Sequence, residues 1–148
     1  MPDRTGSTRQ KRRALLTCCL ALALAACQSP TTPIDSHALA LAADDIASLA
    51  AEAALLTEQL AARSVTDNYA WVHQDALAQA SVELAGRIAR PVPPAAQARH
   101  QQLLELHARL DTALERIVFA AHEPVVLEQL HGRFGQIRAQ AVPLGERP

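Results

Sequence analysis

Residues 39–60, LALAADDIASLAAEAALLTEQL, decide the fold class. Leu39, Ala42, Ile46, Leu49, Ala53, Leu56 and Leu60 recur at alternating spacings of three and four, without a break. That period puts all of them on one stripe of an α-helix, whereas a strand would alternate every second residue. Asp35 or Ser36 can cap the start of this helix, because their side-chain oxygens accept from the free amides of a first turn. Ser64-Val65-Thr66-Asp67 interrupts the pattern and offers Thr66 or Asp67 as the next cap.

Three further segments share the period. The second, ending near Arg90, carries a thinner stripe of Ala70, Leu77, Leu84 and Ile88, with His73 and Ser81 in the intermediate places. Pro91-Val92-Pro93-Pro94 ends it, since the residue before a proline is pushed out of the α region. The third, about 95–121, aligns Leu103, Leu106, Leu110, Ala113 and Ile117. Pro124 then sits well as the first residue of a fourth helix, in which Leu127, Leu130, Phe134, Ile137 and Ala141 repeat the pattern. Gly132 and Gly135 each cost that helix about 1 kcal/mol relative to alanine, so it is the element expected to fray. On the exposed sides, Glu83 with Arg87 and Glu105 with Arg109 have the spacing of i,i+4 ion pairs.

Composition agrees. The chain has 148 residues, with 31 alanines and 21 leucines but only four aromatic side chains: Tyr69, Trp71, Phe119 and Phe134. Strands favour β-branched and aromatic residues, so this is the composition of closely packed helices. The expected fold is all-α, an antiparallel four-helix bundle over residues 37–141, followed by a tail over 142–148. The alternative is three helices, the last being a long rod kinked near Pro124. Trp71 and Tyr69 are expected to fill the core at one end of the bundle.

Charge divides the chain unevenly. Its formal net charge is −1, yet five of its basic residues lie within the first 26 positions, where Asp3 is the only acid. The basic stretch 1–13 is followed by the apolar stretch 14–26, ALLTCCLALALAA. Thirteen residues as a helix reach only ~20 Å, short of the ~30 Å hydrocarbon core. A basic region before an apolar stretch of this size is the pattern of a secretory signal. It ends in Leu24-Ala25-Ala26-Cys27, which resembles the lipobox of bacterial lipoproteins.

That resemblance implies cleavage after residue 26 and diacylation of Cys27, leaving residues 27–36 as a lipidated cysteine and short tether. The chain would then be held at a membrane by its lipid. Position 28 is Gln, where aspartate would retain an enteric lipoprotein at the inner membrane. The implied destination is therefore the inner leaflet of the outer membrane, facing the periplasm. All three cysteines lie at 18, 19 and 27, so the body carries no thiol for a disulfide, a nucleophile or a thiolate metal site. The only lysine is Lys11, which removes Schiff-base chemistry and a C-terminal lysine link to the cell wall.

No nucleophile-elbow motif or phosphate loop occurs, and the reading is of a chain that is not an enzyme. Six histidines raise metal or haem binding. Glu128 and His131 form a single E-x-x-H, where di-iron bundles use two such motifs with further glutamates. His107 and Asp111, with Glu115 a turn later, share one face, which reads more simply as a solvated polar edge. His73 and His107 could be imagined as a bis-histidine pair, but no cofactor is expected. The body is acidic with scattered arginines, which argues against nucleic-acid binding. Opposed charge on the first and last helices, acidic over 35–63 and basic at Arg133 and Arg138, is expected to help them pack.

The functional expectation is a lipid-anchored, non-enzymatic interaction module of the bacterial envelope. It would bind another envelope protein as a pilotin, assembly factor or inhibitor does. Small helical pilotins resemble it in size and general plan only. The alternative is a small-molecule, metal or haem binder that uses the bundle interior.

Overall fold

The computed structural model describes residues 33–146; the leader and Cys27 lie outside the described residues. Four helices account for most of them: α1 (Ser36–Ala61), α2 (Asp67–Ile88), α3 (Gln97–Leu114) and α4 (Pro124–Gly145), with single 3-10 turns at Pro94–Ala96 and Val118–Ala120. The fold is all-helical, and its helices pack as a bundle.

The starts follow local chemistry. The Asp35 carboxylate accepts from the Ala38 amide at 2.7 Å, and the Thr66 hydroxyl accepts from the Tyr69 amide at 3.2 Å. Each satisfies one of the amides that a first turn leaves unpaired. Pro124 occupies the first turn of α4, where its missing N–H costs nothing. α1 ends differently. Arg63 adopts a left-handed φ of 52°, while its amide bonds to the Leu60 carbonyl and the Ser64 amide to the Gln59 carbonyl, each at 3.0 Å. This is a Schellman motif with arginine where glycine is usual.

Cross-helix bonds fix the topology. Gln74 on α2 reaches the Leu114 carbonyl, Ser81 meets His107, and His100 donates to the Ile88 carbonyl. Each step of seven residues up α2 matches seven down α3, so the two helices are antiparallel with a polar contact every second turn. Arg87 pairs with Asp45 across α1 and α2, and His131 reaches back from α4 to the Ala54 carbonyl. Arg109 bonds to Gln140 between α3 and α4. These pairings alternate the helix directions up and down. They exclude the kinked-rod alternative, because α4 runs back along α3 instead of continuing it.

The stripes meet in one core. The apolar stripe residues read for the second, third and fourth segments are all buried, and so are those of α1 apart from half-buried Leu49; His73 of the second stripe is half-buried and Ser81 fully buried. Phe134, at 0% exposure, is the largest fully buried side chain. Ala40, Ala43, Ala50 and Thr57 widen the buried face of α1. The most extensive helix–helix contact is between α1 and α4. Small side chains allow such close approach.

Several boundaries differ from the sequence expectation. Ile34 is buried, and its amide bonds to the Pro91 carbonyl at 2.9 Å, so the fold begins inside the stretch assigned to the tether. α4 continues to Gly145 and Leu144 packs on the core, so most of the supposed tail is helix. The third segment breaks after Leu114 because Ile117, Val118 and Phe119 are poor helix formers ahead of a proline, and i−3 bonds replace i−4 bonds there. The last helix is the partner of α1 in the main packing contact. Gly132 and Gly135 lie on its exposed side, where they weaken propensity and leave the buried stripe intact.

Both expected i,i+4 ion pairs give way to bonds between helices. Arg87 meets Asp45 at 2.8 Å, and Arg109 meets Gln140 at 2.7 Å. Among the described residues no ion pair joins α1 to α4. The α1–α4 contact is apolar, with the His131 bond at its edge.

Candidate functional site

The histidines and carboxylates singled out from the sequence fall in separate places. His131 donates through Nδ1 to the Ala54 carbonyl at 3.1 Å, and Glu128 lies on the rim of a groove beside it. His73 stacks on Tyr69, ring centroids 5.7 Å apart. His107 contacts Ser81, eight residues beyond His73, roughly 12 Å along α2. One iron cannot bridge that separation, so the imagined bis-histidine pair is not formed. Among the described residues no three His, Cys, Asp or Glu side chains converge as metal ligands.

Sequence reasoning missed what surrounds His107. Ser81, His107 and Asp111, from α2 and α3, come together in the interior. Ser81 is fully buried and His107 is 9% exposed. His107 Nε2 lies 2.9 Å from the Ser81 carbonyl oxygen and 3.1 Å from its hydroxyl, and the hydroxyl donates to Asp111 Oδ1 at 3.2 Å. The trio has the composition of a hydrolytic triad but the wrong proton order. Contact with a carbonyl oxygen requires that Nε2 carry the proton, so it cannot take one from the serine, and the serine proton is directed at the carboxylate. The arrangement satisfies three polar groups at a helix seam and fixes the register of α2 against α3. Of the expected solvated edge, Glu115 is exposed and Asp111 half-buried, while His107 is buried against Ser81. The signal in the sequence was that Ser81 and His107 both occupy core-facing positions.

The aromatic residues are the second surprise. Tyr69 is 48%, Trp71 59% and Phe119 84% exposed. Core filling by Tyr69 and Trp71, the sequence expectation, does not occur: their positions on the first turn of α2 face away from the stripe of Ala70 and Leu77. Three of the four aromatics in the chain therefore lie on the surface, and all three belong to one end of the bundle. Val72, Val118 and Val125 are also exposed there.

Two shallow grooves flank the last turn of α1 at this end. The first, about 230 Å³, has Leu60, Ala70 and Ile117 in its floor and Trp71 and Val118 in its walls. His122 and Asp67, 3.9 Å apart and exposed, stand at its rim. The second, about 520 Å³, runs between α1 and α4 over Ala61, Pro124 and Leu127, with Glu58 and Glu128 at its edges. A third groove, between α3 and α4, is lined by Arg109 and Arg133.

Charge at the aromatic end is one-sided. Among the described residues, Glu58, Asp67, Glu115, Glu123 and Glu128 are exposed there, against Arg63 and Arg116. Among the described residues no helix is long and apolar enough to cross a membrane. The comparisons with protein families, curated proteins and solved structures give no match to this chain.

Proposed function

We propose that the chain is a lipid-anchored, non-enzymatic interaction module of the bacterial cell envelope. It faces the periplasm from the inner leaflet of the outer membrane and binds another envelope protein, in the manner of a pilotin, an assembly factor or an inhibitor. The basic leader and the Leu24-Ala25-Ala26-Cys27 sequence support the anchor. One lipid chain holds a protein only marginally, whereas the two or three chains of a bacterial lipoprotein make attachment durable. The observation that carries the binding role is the exposure of Tyr69, Trp71 and Phe119 together at one end of an otherwise aromatic-poor bundle.

The reading has two tests. Cys27→Ser should release the protein from the membrane fraction or leave its leader uncleaved; a variant that is processed and membrane-bound like the parent contradicts the anchor. Affinity purification of the full chain from crosslinked envelopes should bring down one envelope protein in stoichiometric amount, and its absence contradicts the binding role.

A further inference from the structure

The interaction role points to the aromatic end but leaves open what chemistry the partner carries there. Resting on that role, we infer that the aromatic end is the docking surface, and that its occupant is a basic amphipathic segment of an envelope protein. Such a segment presents arginines or lysines beside bulky apolar side chains.

An exposed tryptophan and an 84%-exposed phenylalanine leave large apolar areas in water, and single-domain proteins ordinarily bury such side chains. Here Phe134 is the one buried aromatic, and the other three lie at the start of α2 and in the connection after α3. Tyr69 is held by its stack on His73, which limits the freedom it would lose on binding. The Trp71 groove is floored by buried Leu60, Ala70 and Ile117, so a side chain entering it would meet packed apolar surface.

Charge then selects the occupant. Among the described residues, five exposed carboxylates and two guanidiniums belong to this end of the bundle. Glu58 and Glu128 border one groove and Asp67 the other, spacing negative charge along both sides of the α1 terminus. An acidic segment would be repelled, and so would an anionic lipid surface. A cationic segment gains from the carboxylates and from cation–π contact with the exposed Trp71 and Tyr69 rings. An apolar anchor in the Trp71 groove with cations toward Glu58, Asp67 and Glu128 is the helix-in-groove mode of recognition.

Position supports the choice. The described chain begins at the other end of the bundle, where Ile34 bonds to Pro91. Six residues lie between Cys27 and Ile34, seven steps that reach at most about 25 Å, while α1, with 26 residues, is about 39 Å long. An anchor at Cys27 thus restrains the Ile34 end and leaves the aromatic end able to project from the membrane.

The test places a photoreactive phenylalanine analogue at position 71, 119 or 142 of the full chain in its native envelope. Val142 is an exposed apolar control near the opposite end of the bundle. Irradiation at 71 and 119, and not at 142, should crosslink one envelope protein through a segment of net positive charge with bulky apolar residues. Combining Glu58→Gln, Asp67→Asn and Glu128→Gln should lower that yield about tenfold, with the helical circular dichroism unchanged.

Equal crosslinking at 142, no product at 71 and 119, or products with lipid, with a second copy of the chain or with an acidic segment would each overturn the inference. So would a yield indifferent to the three charge removals. The mass of the mature N-terminus, measured on the same samples, reports lipidation separately. An acylated chain without the crosslink defeats the docking surface and leaves the anchor standing, and an unacylated chain does the reverse.

Discussion

At the Ile34 end of the bundle the chain closes on itself. Ile34 bonds to Pro91, the His100 side chain takes up the Ile88 carbonyl, and Arg99 reaches the carbonyls of Leu144 and Glu146 at the end of α4. At the other end the connections 62–66 and 115–123 and the adjoining turns of α2 and α4 carry exposed rings and valines, an arginine in a left-handed turn, and an exposed pair between His122 and Asp67. Both ends satisfy helix termini with polar side chains, through Thr66 and Gln74 at the aromatic end, and both leave aliphatic side chains in water, but only the aromatic end exposes rings. Rings left largely in water add little to the packing of the bundle, so this more open end calls for a reason outside the fold.

The largest expected effect tests closure. Ile88→Ala, at a side chain 1% exposed in the Ile34 half, should cost about 2–5 kcal/mol in denaturant unfolding of the full chain in mild detergent. Arg99→Ala should cost about 1–2 kcal/mol, since the last carbonyls of α4 lose a charged donor, and faster amide exchange near the C-terminus would accompany the loss. At the open end the sign reverses. Arg63→Gly should stabilise by about 1 kcal/mol, because glycine carries no penalty at a φ of 52°. A loss of stability there would mean that the arginine side chain is a structural part of the turn. Smallest of all, Trp71→Ala with Phe119→Ser should change stability by no more than about 0.5 kcal/mol, which a shared denaturation midpoint would verify. A large loss would show that the aromatics belong to the core and would erase the contrast between the ends.

How far the sequence could be read follows the same division. The 3–4 spacing located all four stripes, because burial imposes that period on any helix with one covered face. Caps at Asp35 and Thr66 and the start at Pro124 were legible because each rests on contacts within four residues. What escaped depended on neighbours far along the chain. Arg87 and Arg109 had local partners at the right spacing and took partners on other helices. Ser81 and His107, 26 residues apart, form a bond that no local pattern marks. Tyr69 and Trp71 were misplaced because hydrophobicity alone assigns large rings to the interior, while the phase of α2 turns them outward. The proposed anchor at Cys27 rests on the leader sequence alone, and the proposed docking surface emerges only once the helix ends are assembled.

The measurement that bears most directly on the account is a comparison of envelope crosslinking and copurification between the full chain and its Trp71→Ala/Phe119→Ser variant. The account predicts that the variant remains folded, acylated and at its normal level but loses its stoichiometric partner, with binding weakened about 30-fold or more. A variant that retains the partner at parental yield would contradict the assignment of the aromatic end as the surface through which this protein acts.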